Sequence, residues 1–432
     1  MNTEEKQPCC PSGHCFTDIL NNELMMALGC TEPIAIAYAA ATARETLGAF
    51  PERLEVHCSG NIIKNVKGVI VPGTGNLKGV EPSAILGTVG GNAALKLEVL
   101  SQVTPKHLEK TKELLKTDYC AVSLIKNVPN LLIRVYAFAG NESAMVEITN
   151  AHTNITRIEK NGQVLFSGQK AATCEEGERT EYGPMNLSEI IAFCREGDIT
   201  PALSALKRQE TYNTRISMEG LARPYGERIG ATLLRYYGKE DIKIRARALA
   251  AAGSDARMSG CVMPVVINSG SGNQGITITM PILAYANELK VSDEMKYRGL
   301  ALGNLVSIYI KRDMGKLSAF CGAVSAACGC GAGITFLCGG TERQIADTIT
   351  NTLANVAGIV CDGAKPSCAA KISSAVDAAI LGHLMAMEGR VFGDGEGIIT
   401  GSVDQTIANT ARMGREGMRD TDLEILNIML GK

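Results

Sequence analysis

The chain has 432 residues, 43 Lys and Arg against 45 Asp and Glu, and a formal net charge of −2. That length exceeds one small domain and supports a large buried core. Near-neutral charge removes the electrostatic case for a nucleic-acid partner, and a composition rich in Gly, Ala and Met without Trp suits close helix packing better than a β-sandwich.

Residues 1–7 are charged and polar and lack the apolar run of a secretory signal, so a cytoplasmic chain is expected. Its 15 cysteines are then reduced: core residues, metal ligands or catalysts, not a disulfide framework. Residues 1–16 read as a flexible tail broken by Pro8, Pro11 and Gly13; its Cys9, Cys10, His14 and Cys15 match no standard zinc spacing.

From Thr17 the pattern is helical, with Leu20, Leu24, Met25 and Leu28 as an apolar stripe that Gly29 stops. Cys30-Thr31-Glu32-Pro33 follows, and Pro33 suits the first turn of a helix over 34–47. Cys30 therefore falls at a helix N-terminus, where the macrodipole and free N–H groups are expected to lower a thiol pKa. Short strands are expected at 54–56 and 61–64, a turn at Pro72-Gly73-Thr74-Gly75 and a helix over 83–97.

Residues 104–186 change character. An amphipathic helix at 106–115 precedes strand-like runs at 122–125, 131–137, 144–150 and 153–160. Asn161-Gly162 is a hairpin signal before a last run at 164–167. The fold class is accordingly α+β: a mostly helical, Gly/Ala-rich catalytic body (17–103 and 187–432) with a small inserted α/β subdomain (104–186).

In the C-terminal half, residues 317–341 carry no charge and are long enough to span a bilayer. They are mostly Gly, Ala, Ser and Cys, so a buried helix pair is expected rather than a membrane span. Thr341 and Gln344 form a capping box, and Ile345, Ile349, Leu353 and Val356 mark one buried face. Gly358 ends that helix, Cys361 sits in the loop after it, and Cys368 falls in the first turn of the next helix. Cys321, Cys361 and Cys368 together suit an iron–sulfur cluster with one iron open to substrate. Spacing alone does not separate Cys321 from Cys328 or Cys330. Lys365 balances cluster charge, holds a substrate carboxylate, or is a solvated loop lysine.

These motifs resemble a family. GCTEP (29–33), SGNIIKN (59–65), VPGTG (71–75), SGNQG (271–275), the CGAVSAACGCGAG run and CDGAKPSC (361–368) are similar to L-cysteine desulfidases of the UPF0597 group, related to the α-chain of iron–sulfur L-serine dehydratases. The likeness runs from about Leu24 to the C-terminus and leaves the cysteine-bearing tail aside. It implies a 4Fe–4S cluster held by three cysteines, which map onto Cys321, Cys361 and Cys368. It also implies that Cys30 takes part in catalysis.

The implied reaction is β-elimination: L-cysteine gives sulfide and aminoacrylate, which hydrolyses to pyruvate and ammonia. The Cα proton needs a positioned base, for which Cys30 is the candidate. The soft substrate thiolate suits an open iron. Asn273 and Gln274 offer amide donors and acceptors to the substrate, and Ser271 stands in a glycine-rich turn whose N–H groups suit an anion. Asn61, Lys64 and Ser59 are further candidates, and Glu32 is placed to orient the amine. Three rivals compete. A serine dehydratase differs only in its hydroxyl leaving group. A pyridoxal-phosphate lyase would use SGSGNQG as a phosphate cup but lacks a clear partner lysine. A metal-bearing sensor would call for a basic stripe that is not evident. Gly/Ala-rich helix faces make a homodimer the expected assembly.

Overall fold

A computed structural model of the chain describes residues 16–168, 185–315 and 317–432. The cysteines and His14 of the tail lie outside these residues. Phe16 does not belong to a tail: it opens helix α1 (Phe16–Glu23) and is fully buried. The predicted helical stripe then breaks, because α1 ends at Glu23 and Met26–Leu28 forms strand β1. Gly29, at φ +62°, turns the chain into α2 (Thr31–Leu47); a Cβ there would meet Pro72 at 2.0 Å, so GCTEP lies directly against VPGTG.

Strand β2 (Arg53–Ser59) leads straight into α3 (Gly60–Lys67). The strand expected at 61–64 is thus a helix. Its buried positions Asn61, Ile62, Asn65 and Val66 recur at helical spacing, which outweighs the β-branched Ile62-Ile63 pair. Helix α4 (Val80–Gly90) stops at the Gly90-Gly91 pair, short of the predicted 97. After α5 (Pro105–Leu114) come β3 (Cys120–Ile125), β4 (Leu132–Ala139), β5 (Glu142–Thr149), β6 (Ile155–Lys160) and β7 (Gln163–Ser167). Asn161 and Gly162 take positive φ, as the hairpin signal demands.

The sheet order is β3-β2-β4-β5-β6-β7. Its second strand therefore comes from outside 104–186: β2 runs parallel to β3 and antiparallel to β4. The sheet packs on α2, whose first turn carries Cys30-Thr31-Glu32.

The body continues with α6 (Leu187–Glu196), α7 (Leu203–Ala222), α8 (Ile229–Tyr237) and α9 (Ile242–Met258). Strand β8 (Pro264–Val266) pairs antiparallel with β1. Then follow α10 (Gly272–Leu289), α11 (Asp293–Arg312), α12 (Gly322–Leu337), α13 (Glu342–Val356), α14 (Cys368–Met387), α15 (Val403–Arg412) and α16 (Arg419–Leu430). Helix α12 is buried among α10, α11, α13 and α14. Glycine at 303 and 329 lets α11 and α12 approach closely: a Cβ on Gly329 would meet the Gly303 carbonyl at 2.2 Å. The 317–341 stretch holds this one helix, not a pair. Among the described residues one helix, Cys368–Met387, is long and apolar enough to cross a membrane by length and composition, and it packs against α9, α12 and α13. Mostly helical with a small mixed six-stranded sheet beside the β1–β8 pair, the architecture is the predicted α+β class.

Candidate active site

Two segments bring the thiols together. Residues 319–321 and 359–361 lie antiparallel: Cys321 N donates to Ile359 O at 3.1 Å and Cys361 N to Ala319 O at 2.7 Å. Cys321 is the N-cap residue of α12, without a side-chain cap bond, and Cys368 begins α14. Burial pushes the Cys321 thiol up to about 12, and the nearby charges of Cys361 and Cys368 act in the same direction. Burial also raises Cys368. Cys328 and Cys330 lie deep in α12, and the cysteine that acts on Cys328 is Cys330. Cys321 is the member of the Gly/Ala-rich run that joins Cys361 and Cys368.

Lysines surround the thiols. Lys64, 1% exposed, donates to Cys361 O at 3.1 Å and pairs with Asp422 on α16. Lys371 reaches Val360 O at 2.8 Å and pairs with Asp362. Lys311, on α11 and 5% exposed, has no carboxylate partner among the described residues; its Nζ lies 3.8 Å from Met314 Sδ. Burial lowers its pKa to about 8, while Cys361 and Cys321 act to raise it. Lys365 instead closes its own loop, donating to Asp362 O and Gly363 O at 3.1 and 3.2 Å.

The donor set fits an iron–sulfur cluster. Its three half-buried thiols come from separate turns and act on one another, and the Lys311 charge beside them offsets part of the negative charge of a thiolate-bound cluster. Each thiolate of a cubane takes a different iron, so its ligands stand wider apart than those of one ion. Among the described residues, no three His, Cys, Asp or Glu side chains converge as single-ion ligands do. Metal binding also deprotonates buried thiols that are otherwise neutral.

Cys30 stands beside this centre. It shares an apolar cluster with Val69, Met258, Ala364 and Cys368. Its Sγ donates to Glu32 Oε2 at 3.0 Å. The predicted lowering of its pKa does not occur: burial raises it well above the usual thiol value, the Glu32 charge adds to that, and Arg257 opposes. At 1% exposure, desolvation outweighs the helix N-terminus.

Glu32 is the hub of the polar network. It accepts from Asn65 Nδ2 at 2.9 Å as well as from Cys30. Thr31 Oγ1 lies 3.1 Å from it and 2.9 Å from Gly270 O, which ties GCTEP to the turn before SGNQG. His152 Nε2, from the β5–β6 turn, stands 3.9 Å away, too far for a hydrogen bond. Burial alone would raise the Glu32 pKa. His152, Cys30 and Arg257 overcome it and hold the carboxyl well below the usual range.

The other predicted residues divide. Asn273 Oδ1 accepts from Arg257 Nη1 at 3.1 Å. Gln274 Oε1 accepts from Ser325 Oγ at 3.3 Å, and its side chain covers Gly322, where a Cβ would meet it at 2.7 Å. Ser271 is the N-cap residue of α10, and its side chain caps nothing. Asn61 donates to Asp422 Oδ2 at 2.8 Å, leaving its Oδ1 buried without a partner. Ser59 is committed elsewhere: it donates to Asn130 O at 2.7 Å and accepts from Leu132 N. Arg257, His152 and Lys311 were not anticipated. Each is one charged or titratable residue in an otherwise ordinary stretch, and its burial is a property of the tertiary fold.

Comparison with known proteins agrees with this convergence of motifs. Residues 94–427 match the family model described as serine dehydratase alpha chain. A UPF0597 protein of Lachnoclostridium phytofermentans is 52% identical over 413 residues, 96% of this chain and 98% of that protein. UPF0597 proteins of Desulfitobacterium hafniense and Treponema denticola are 46% and 42% identical, each over 96% of this chain and 96% and 97% of their own lengths. The chain belongs to the UPF0597 family. Its match to the serine dehydratase alpha chain spans Arg257, SGNQG and the thiol triad, whereas GCTEP precedes the matched residues. UPF0597 relatives covering nearly the whole chain span both parts.

Proposed function

We propose that this UPF0597 protein is a lyase that carries out β-elimination on a small α-amino acid, with L-cysteine as substrate and sulfide, pyruvate and ammonia as products. The observation that carries the reading is the single apolar cluster holding both Cys30 and Cys368. It supports the reading by packing the Cys30 thiol against Cys368, one of the three proposed ligands. A 4Fe–4S cluster held by Cys321, Cys361 and Cys368 would supply a Lewis-acidic iron for the departing sulfur.

The chain's own residues do the rest. Cys30, as thiolate, takes the Cα proton. In the resting protein it is a thiol that donates to Glu32, because burial and the Glu32 charge both favour the neutral form. Glu32 fixes the Sγ position and stays ionised, held by the Asn65 amide and the Arg257 charge. Gln274, locked over Gly322 and bonded to Ser325, gives the Cys321 end of the site a polar wall. Burial of both Cys30 and Glu32 keeps water from competing for the proton.

The test is product analysis on anaerobically iron-loaded protein given L-cysteine or L-serine. Sulfide and pyruvate from L-cysteine in equal amounts support the reading. Pyruvate from L-serine alone moves the substrate to the hydroxyl amino acid. Activity that depends on pyridoxal phosphate and not on iron rules out the proposal.

A further inference from the structure

We infer that Arg257, together with the N-terminal turn of α10, binds the α-carboxylate of the substrate. This rests on the amino-acid elimination proposed above, and it adds the group that would select an amino acid.

Arg257 lies near the C-terminus of α9 and is 2% exposed. A guanidinium offers five N–H donors. Here Nη1 meets Asn273 Oδ1 at 3.1 Å, while Nε is buried with no hydrogen-bond partner. Among the described residues Arg257 forms no ion pair with a carboxylate. Its charge is nevertheless felt at both Cys30 and Glu32. A buried cation with an unused donor is expensive unless something anionic completes it.

The surroundings point to what completes it. The guanidinium lies over Gly272, where a Cβ would meet Nε at 2.4 Å, so a side chain at 272 would displace it. Gly272 is the first residue of α10, an 18-residue helix. Ser271, the residue in front, makes no side-chain cap, and the first turn's N–H groups have no intrahelical acceptor. Uncapped N–H groups, the positive helix end and an arginine fork together make a carboxylate site. The guanidinium is near enough to Cys30 and Glu32 for its charge to act on both, and Cys30 packs in one cluster with Cys368. A carboxylate held at Arg257 therefore belongs to a molecule whose next atoms lie toward the base and the thiols, as the Cα and Cβ of an amino acid do.

The test uses 2-methyl-L-cysteine, which has no Cα hydrogen to lose, and its carboxamide, which lacks the charge. Binding of each to anaerobic iron-loaded protein is measured by titration calorimetry, with bound iron assayed in parallel. Wild type should prefer the acid by about 10- to 100-fold, the span of a charged hydrogen-bonded contact. Arg257→Gln should lose that preference by weakening the acid alone, at unchanged iron content; Arg257→Lys, which keeps the charge, should retain part of it. Equal weakening of acid and amide in Arg257→Gln, or undiminished preference for the acid, overturns the inference. So does a wild type that does not distinguish the two ligands, a readout that needs no variant to fold. If wild type shows an Arg257-dependent preference yet turns over neither L-cysteine nor L-serine, the carboxylate site stands and the elimination falls.

Discussion

Cys30 and Glu32 share one proton contact, and their environments pull them apart. Burial keeps the thiol neutral, and neighbouring charges keep the carboxyl ionised. Acting as a base, Cys30 is active only as thiolate. Below its raised pKa that fraction grows tenfold per pH unit, so turnover should climb with pH. Glu32→Gln removes the negative charge that helps raise the thiol pKa. The rising limb of kcat/KM should therefore move to lower pH than in wild type, read as the ratio of the two enzymes so that substrate ionisation cancels. A limb that stays in place would show that Glu32 does not act on Cys30 through charge. Gly363 offers a second test. It sits at φ +95° in the CDGAKPSC loop, and a Cβ would meet the Lys64 carbonyl at 2.4 Å. Gly363→Ala strains the backbone and pushes the loop off α3, so bound iron after anaerobic loading should fall to well under half of the wild-type value. Full iron content in a folded variant would separate loop position from cluster binding.

At the scale of elements, caps and turns were the most legible features. The Thr341–Gln344 capping box, the Asn161-Gly162 hairpin and the placing of Cys361 in a loop and Cys368 in a first turn all follow from side chains acting on adjacent backbone. Where a tertiary term competes, local signals mislead. The α1 stripe broke because Met26–Leu28 pairs with β8, more than two hundred residues away. The Ile62-Ile63 pair became helix because packing buries positions 61, 62, 65 and 66. Helix α16 shows what such long-range contacts do for the site: Asp422 holds both Lys64 and Asn61, and Leu426 covers Gly60. Asp422→Ala leaves Lys64 buried and unpaired. It should destabilise by about 3 kcal/mol, measured by denaturant titration, and lower iron retention because Lys64 also holds the Cys361 carbonyl. A loss under ~0.5 kcal/mol would mean that Lys64 finds water or another partner.

Across the whole molecule, the site is assembled from almost every part of the chain. GCTEP comes from the start of α2, His152 from the sheet, Arg257 and SGNQG from the α9–α10 region, and the thiols from α12, a loop and α14. The roles expected of Cys321 and Cys30 came from the family resemblance, since spacing alone did not separate Cys321 from Cys328 and Cys330 and a buried thiol at a helix start reads equally as packing. Arg257, His152 and Lys311 stayed hidden because a lone charge in a helix or turn reads as solvated until the fold buries it. Likewise β2 joins the sheet through a parallel pairing that no local turn announces.

Cys30 and the thiol triad are proposed to be separate parts of one centre. This is tested by preparing Cys30→Ala and Cys361→Ser anaerobically beside wild type, assaying iron and acid-labile sulfide, and following sulfide release from L-cysteine. The account predicts wild-type iron without turnover for Cys30→Ala, and loss of both for Cys361→Ser. Loss of iron in Cys30→Ala would make Cys30 a ligand rather than a base, and retained turnover in that variant would remove it from the chemistry altogether.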